Sequence, residues 1–411
     1  RVASQLGIRR ILFPSDAGIL SAKGIHYAPR ESVKEVQFFS QDIDDVSKLD
    51  DAFQRLVSMA RQDLSADGVN HARMADPLCS VYLRITGQEA GMSVQWKRGT
   101  SLRDGFKEKF VATFGYFPKS PVLEIIKLRV HLMEEIEPMP RESFNDEPVP
   151  GPSVIRDPFG TFFVEKGWSA IRGDSGGIEI VRSGSVEKES GKPLGKVRKT
   201  LVMNRLEGLV EEMGDQLQRT ALSTNIRERL DFSCALLDAN GRLLVNAPHI
   251  PVHLGAMGLC VRECAKRLPI GPGDVILTNH PGYGGSHLPD VTLIRGLFDN
   301  QGQLAGYLAN RAHHAEWGGK SPGSMPADAS SLAEEGVVFE PRYIIRNGAD
   351  RFEEIEDALT SAAYPSRALH ENRIDLEAQL ASLQRGVQLF DGLIGEYGTK
   401  TVQNYFKDFY Q

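Results

Sequence analysis

Apolar positions recur along this chain in two rhythms, one suited to helices and one to strands. Between residues 43 and 66, Leu49, Phe53, Leu56, Val57, Met59 and Leu64 fall mostly three and four apart, which gathers them on one face of a helix. Leu102–Phe114 predicts a second helix, stopped by Gly115 and Pro118. Ser80–Thr86 and Met92–Trp96 read as strands joined by residues 87–91, and Val122–Met133 as a longer one. Ahead of them, residues 1–8 read as the end of a helix, Arg9–Pro14 as a short strand and Asp16–Gly24 as a glycine-rich loop. Residues 136–152, rich in Pro, Glu and Asp, predict an exposed linker. Val154–Ile155, Thr161–Val164 and Ile178–Val181 then predict a small β unit, with turns at Asp157-Pro158 and Gly173–Gly177, and residues 183–197 a polar connector.

A third region starts near residue 198. Leu201–Leu222 is an amphipathic helix. Phe232–Asp238 and Arg242–Asn246 form a hairpin through Asn240-Gly241, a dipeptide suited to a tight turn. Ala256–Leu268 follows as a helix, Val275–Thr278, Val291–Phe298 and Ala305–Arg311 as strands, and Asp375–Tyr397 as a late helix. The pattern defines a mixed α/β (α+β) multidomain chain: small α+β and β units, then a larger mixed α/β domain. No internal repeat is visible.

Composition narrows the function classes. The chain has 411 residues, 41% apolar and 25% charged, with a net charge of −6. That balance leaves no basic footprint for nucleic acid, and Trp96, Trp168 and Trp317 do not interleave with basic clusters. No apolar run approaches the length of a membrane span. Cys79, Cys234, Cys260 and Cys264 fit a reducing compartment, so a cytoplasmic location is expected. Cys260 and Cys264 stand one helical turn apart with no second ligand pair at suitable spacing, and read as buried core thiols. The opening Arg-Val-Ala-Ser-Gln-Leu-Gly has no Met and no signal architecture, and reads as the middle of a helix in a longer protein.

The candidate chemistry lies between Asn279 and Gly319. Four of the ten histidines fall there: His280, His287, His313 and His314. His287 and Asp290 sit on a turn that enters one strand, and His313 and His314 end the next. Two imidazoles and a carboxylate converging from neighbouring strands make a divalent-metal site. Adjacent residues of a strand face opposite ways, so at most one of His313 and His314 shares a site with His287. Gly282-Tyr-Gly-Gly285 lets backbone approach a ligand, but no Lys-Ser/Thr follows to make it a phosphate loop. Asn225, Arg227, Glu228 and Arg229 crowd one loop, where Arg227 suits a phosphate or carboxylate and Arg229 with Asp231 suits an internal ion pair. His249 and His253 flank Pro251 in a segment read as irregular. Gly173-Asp-Ser-Gly-Gly177 resembles the surroundings of a serine-protease nucleophile, but only His26, His71 and His131 precede it, in no triad context, so a β-turn is expected.

Ser223-Thr-Asn225-Ile-Arg227-Glu-Arg229-Leu-Asp231-Phe-Ser233, His249-Ile-Pro-Val-His253-Leu-Gly, Asn279-His-Pro-Gly-Tyr-Gly-Gly-Ser-His287-Leu-Pro-Asp290 and Asn310-Arg-Ala-His313-His314-Ala-Glu316-Trp-Gly-Gly319, with Pro322–Pro326, are long, dense motifs. Over residues 199–411 they resemble the hydantoinase B/5-oxoprolinase family. Pro14–Gly24, Tyr82–Gln88, Phe114–Tyr116 and Gly151-Pro-Ser-Val-Ile resemble, in order, the C-terminal part of hydantoinase A. The resemblance divides the chain into the tail of an actin-like ATPase domain (1–28), a hydantoinase A C-terminal α+β region (29–135), a small β unit (136–182), a linker (183–197) and a hydantoinase B-like domain (198–411) cut short at Gln411. This order resembles the fused, ATP-dependent 5-oxoprolinases of glutathione metabolism.

The resemblance implies an enzyme that phosphorylates a cyclic amide, 5-oxoproline or a hydantoin, and then opens the ring. ATP would be used in an upstream ATPase domain of the same protein, whose phosphate motif this chain lacks, so the chain alone is not expected to turn ATP over. A homo-oligomer is expected, with neither nucleic acid nor membrane as partner. By likeness to acetone carboxylases, metal ligands fall on His287, Asp290 and one of His313 or His314. The reading adopted is that His287, Asp290 and His313 hold Mn²⁺ or Zn²⁺. His314, Glu316 and His253 then carry catalysis, with Glu316 where the family has Asp. Asn225, Arg227, Glu228, Arg229, His249 and Asn279 are expected to bind substrate. An acetone-type ATP-dependent carboxylase and a non-catalytic docking module are the alternatives.

Overall fold

In the computed structural model of the protein, residues 3, 8–88, 91–135, 143–157, 160–182, 195–247, 251–324 and 326–408 are described. Seventeen strands occur among them. They are β1 (Arg10–Phe13), β2 (Glu31–Ser40), β3 (Leu78–Ile85), β4 (Met92–Gln95), β5 (Leu123–Met133), β6 (Val149–Pro150), β7 (Ser153–Asp157), β8 (Gly160–Val164) and β9 (Trp168–Arg172). They continue with β10 (Ile178–Arg182), β11 (Phe232–Asp238), β12 (Leu243–Asn246), β13 (Val275–Thr278), β14 (Asp290–Phe298), β15 (Leu304–His313), β16 (Arg342–Arg346) and β17 (Ala349–Asp350). With the interspersed helices this is a mixed α/β chain.

The described residues form two compact units. The first spans residues 1–37, 45–80 and 128–198. Its four-stranded sheet runs β1-β10-β9-β6, and β7 pairs with β8. Val164, Trp168, Ala170, Ile178 and Ile180 form a buried core there. The helix Val46–Ala66 begins at Asp45, whose carboxylate accepts from Lys48 N, and buries Leu49, Phe53, Leu56 and Leu64 as the spacing predicts. Gly173 N donates to Gly177 O at 2.8 Å, closing the expected turn between β9 and β10.

The second unit spans residues 38–44, 81–127 and 199–411 and carries the candidate chemistry. Its seven-stranded sheet has the order β12-β11-β15-β14-β13-β16-β17. Every pairing in it is antiparallel. The sheet is covered on both faces, so its central strands β11 and β14 are buried almost throughout. One face packs the helix Pro251–Arg267, which inserts Met257, Cys260, Val261 and Cys264 among Ala235, Leu237, Ile276, Ile294 and Ala309. The other face packs the long helix Leu369–Tyr397. Gly386 of that helix lies where a Cβ would come within 2.7 Å of Met213 Sδ and Leu308 Cδ1. Met213 belongs to the helix Gly195–Thr220.

Several elements depart from the sequence expectation. Asp16–Gly24 is not a loop: Ala17–Ile19 is a 3-10 turn, and Leu20–His26 a helix with no buried residue and hence no apolar stripe to announce it. His253 lies in the first turns of the helix Pro251–Arg267, not in an irregular segment. Pro251 opens that helix, where its missing N–H costs nothing. Glu31–Ser40, Trp168–Arg172, Arg342–Arg346 and the helix Phe352–Ser361 carry no assignment from pattern alone. The polar connector at 183–197 lies outside the described residues except for 195–197, where the helix Gly195–Thr220 begins.

Candidate functional site

Two antiparallel strands set the site. In β14 and β15, Asp290 pairs with His313, Thr292 with Arg311 and Ile294 with Ala309. Side chains alternate along a strand, so Asp290, Thr292 and Ile294 face the helix Pro251–Arg267 together with His313, Arg311 and Ala309. Val291, Asn310, Ala312 and, just past the strand end, His314 take the other side. Asp290 is the first residue of β14 and His313 the last of β15, so both stand at the same sheet end.

The loop before β14 brings His287 to that end. Gly284 has φ of 82°, a conformation that glycine adopts freely. A Cβ on Gly285 would lie 2.5 Å from the Asn279 carbonyl oxygen, so the loop folds back on its own start. Gly285→Ala is expected to destabilise the protein by about 1–3 kcal/mol, because backbone must move to admit the methyl group. Urea unfolding monitored by circular dichroism would measure it.

His287 Nε2 lies 2.9 Å from His313 Nδ1, and Asp290 Oδ1 lies 2.9 Å from His313 Nδ1 and 3.3 Å from His287 Nε2. His253 Nε2 reaches Asp290 Oδ2 at 3.2 Å and Asp231 Oδ1 at 3.8 Å, while Ser233 Oγ is 3.4 Å from His253 Nδ1. Asp231 immediately precedes β11, and its backbone accepts from His313 N at 2.9 Å. Three imidazoles and two carboxylates therefore meet where β11, β14, β15 and the helix Pro251–Arg267 come together. Asp290 is wholly buried and His253 nearly so, whereas the side chains of His287 and Asp231 are 39% and 33% exposed. That side opens the cluster to a small molecule.

Burial raises the Asp290 carboxyl, but hydrogen bonds from His253 and His313 and the charge of the surrounding imidazoles outweigh it and hold the group well below the usual carboxylate range. Burial lowers His287, against the attraction of Asp290. Asp290 thus stays anionic and His287 neutral at pH 7, the protonation states that a cation requires of its ligands. A divalent ion about 2.1 Å from each donor separates neighbouring donors by about 3.0–3.4 Å. The 3.3 Å separation falls within that range and the two of 2.9 Å, both to His313 Nδ1, fall just short of it, so a small shift of the His313 ring admits the ion. Asp290 Oδ2 is buried, and His253 Nε2 at 3.2 Å is the ring nitrogen that faces it.

The other singled-out residues fall elsewhere. His314 turns to the opposite face, wholly buried, with Nε2 3.0 Å from Gln379 Oε1. Glu316 accepts from Gly318 N, Ser366 Oγ and Arg367 N and pairs with the Arg367 guanidinium, so its carboxylate is bound into a loop junction. Asn279 is wholly buried and bonds the backbone of Leu288, Val337 and Phe339. None of these three reaches the cluster, because each spends its polar atoms on framework. Asn225 accepts from Arg229 Nη1 at 3.3 Å, and its carbonyl accepts from Asp231 N at 2.9 Å. Arg229 thus meets Asn225 rather than Asp231. Asn225 and Arg227 lie in the short helix Thr224–Arg227 rather than a loop, and Arg227, Glu228 and Arg229 are exposed ahead of Asp231. His249 lies outside the described residues. Sequence reading gives Asp231 no part in the cluster. Its signal is its place one residue ahead of a strand that borders β15.

With this geometry in view, the model of the family "Hydantoinase B/oxoprolinase" matches residues 196–411, more than half of the chain. The chain belongs to that family. It is 32% identical to 5-oxoprolinase 1 of Arabidopsis thaliana over 99% of its own length and 36% of the relative's. It is 42% identical to the 5-oxoprolinase of Saccharomyces cerevisiae over 50% of its length and 17% of the relative's. The solved ATP-dependent caprolactamase from Pseudomonas jessenii matches at 26% identity and a TM-score of 0.48, over 53% of this chain and 37% of that one. The chain spans about a third of the length of the first curated relatives it matches.

Proposed function

We propose that this chain supplies the ring-opening site of an ATP-dependent cyclic amide hydrolase whose substrate is 5-oxoproline or a hydantoin. The observation that carries the reading is the convergence of His287, Asp290 and His313 on one point at a strand end, open on the His287 side. The names of the relatives supply the substrate class. In this reading residues 1–182 extend a hydantoinase A-type part, an upstream ATPase domain of the same protein phosphorylates the amide oxygen, and the cytoplasm is the compartment.

His287 Nε2, Asp290 Oδ1 and His313 Nδ1 would hold the cation, Mn²⁺ or Zn²⁺. Bound there, a divalent ion acidifies water toward neutrality and polarises a carbonyl oxygen. The chain's own groups do the rest. Asp290 supplies the negative charge that draws the ion, and its second oxygen orients His253 through Nε2. His253 stands between Asp290 and Asp231 with Nε2 against the Asp290 carboxylate, and the partly exposed Asp231 is the group placed to take a proton from water on the open side and pass it to solvent. Ser233 Oγ, beside His253 Nδ1, holds the ring in place. His314 and Glu316, named from sequence for proton transfer, lie away from the cluster, and His253 serves by steadying the Asp290 charge.

The full-length protein carrying this chain, incubated with 5-oxoproline, Mg²⁺ and ATP, is expected to form glutamate and ADP in equal amounts. Chelation of the transition metal should abolish glutamate formation. Absence of glutamate, with a hydantoin also left intact, would overturn the assignment. On the present chain alone, Mn²⁺ or Zn²⁺ at about 100 times its dissociation constant is expected to add about 2.7 kcal/mol to stability. Calorimetric melting would register it.

A further inference from the structure

We propose that Arg311 is a positioning residue for the cation site, its guanidinium fixing the loop that delivers His287. The inference rests on the metal-assisted reading above. Arg311 is wholly buried on β15, two residues before His313 and on the same face. Its Nη2 donates to Gly284 O at 2.7 Å, Nη1 to Ser286 Oγ at 3.2 Å and Nε to Thr292 Oγ1 at 2.8 Å. All three acceptors are neutral, and among the described residues no carboxylate pairs with this charge. A buried guanidinium without a carboxylate partner is a costly way to gain stability. What the fork supplies is geometry, because three N–H groups at fixed separations tie three acceptors at once.

Those acceptors bracket His287. Gly284 and Ser286 lie in the loop immediately before it, and Thr292 lies two residues after Asp290 on the same strand face. The loop is held from its other side as well: a Cβ on Gly284 would lie 2.9 Å from Cys260 N of the helix Pro251–Arg267. The loop therefore sits between helix backbone and guanidinium, and His287 leaves it one residue after the last contact. Without the fork the loop loses two anchors, and His287 Nε2 loses its fixed 2.9 Å separation from His313 Nδ1.

The test titrates Mn²⁺ into the full 411-residue chain, following free Mn²⁺ by electron paramagnetic resonance, alongside melting in the presence of chelator. Arg311→Lys keeps the charge and loses the fork, and is expected to bind Mn²⁺ about 10–100-fold more weakly. Ser286→Ala removes one contact only and keeps the fold if the lysine variant does not; a severalfold loss is expected. Met213→Ala, a cavity on the far face of the sheet, should lower the melting temperature and leave Mn²⁺ affinity unchanged. The proposal is overturned if both loop variants bind like the wild type, or if Met213→Ala weakens binding as much as they do. Wild-type protein that binds neither Mn²⁺ nor Zn²⁺ would sink the underlying cation reading instead, a result seen before any variant is made.

Discussion

Asp290→Asn is expected to weaken binding of Mn²⁺ or Zn²⁺ by at least about a hundredfold, more than the loss typical of groups that only support a ligand. The substitution keeps the shape of the side chain and removes its charge. The carboxylate is the only anion among the three converging donors, and it faces His287, His313 and His253 at 3.3, 2.9 and 3.2 Å. An amide in its place offers one neutral oxygen, and turns an N–H₂ group toward imidazoles or cation. Equal affinity in the variant would remove Asp290 from the site.

The same variant carries a signature in the metal-free protein. The Asp290 carboxyl is held below its ordinary value in the folded state. Its contribution to stability is therefore complete above the unfolded carboxyl value of about 3.9 and is lost as pH falls through the lower folded value. The stability gap between wild type and variant should be widest near neutrality and narrow below about pH 4. Urea midpoints across pH 3–7 would read it, and a gap that widens on acidification would contradict the arrangement.

The strand-end geometry was legible because it depends on short-range rules. Asp290 and His313 fall at strand ends that the apolar runs of Val291–Phe298 and Ala305–Arg311 define, and neighbouring antiparallel strands bring such ends together. The opposite facing of His313 and His314 likewise follows from a period of two. Long-range information was not legible. Nothing local says that Asp231, some eighty residues before His313, would border β15, or that His253 would come down over Asp290 from a helix. Nor does a motif say how its polar atoms are spent. Asn279 and Glu316 stand in the densest motifs, yet Asn279 is bound to the backbone of Leu288, Val337 and Phe339, and Glu316 to Gly318, Ser366 and Arg367. Dense motifs here mark a framework as much as a site.

That distinction gives the second large effect, a separation between adjacent histidines. His313→Ala should reduce cation affinity strongly with a modest change in metal-free stability, since its ring lies at the partly open cluster. His314→Leu should do the reverse. The His314 ring is wholly buried, 4.7 Å from the Trp317 ring, and Gln379 Oε1 is its Nε2 partner. Burial lowers its pKa against the pull of Asp375 and Gln379, so the neutral ring donates through Nε2. Gln379 spends its amide hydrogens on Val291 O and Asn310 Oδ1, both at 3.0 Å, and cannot turn to find another donor for its oxygen. Leucine at 314 thus strands a buried carbonyl, at a cost of about 1–3 kcal/mol, while the cluster on the other face keeps every donor. Paired Mn²⁺ titrations and urea melts of the two variants test this. If His314→Leu loses the cation as completely as His313→Ala does, both rings serve one site, and the two-faced arrangement of this strand end is wrong.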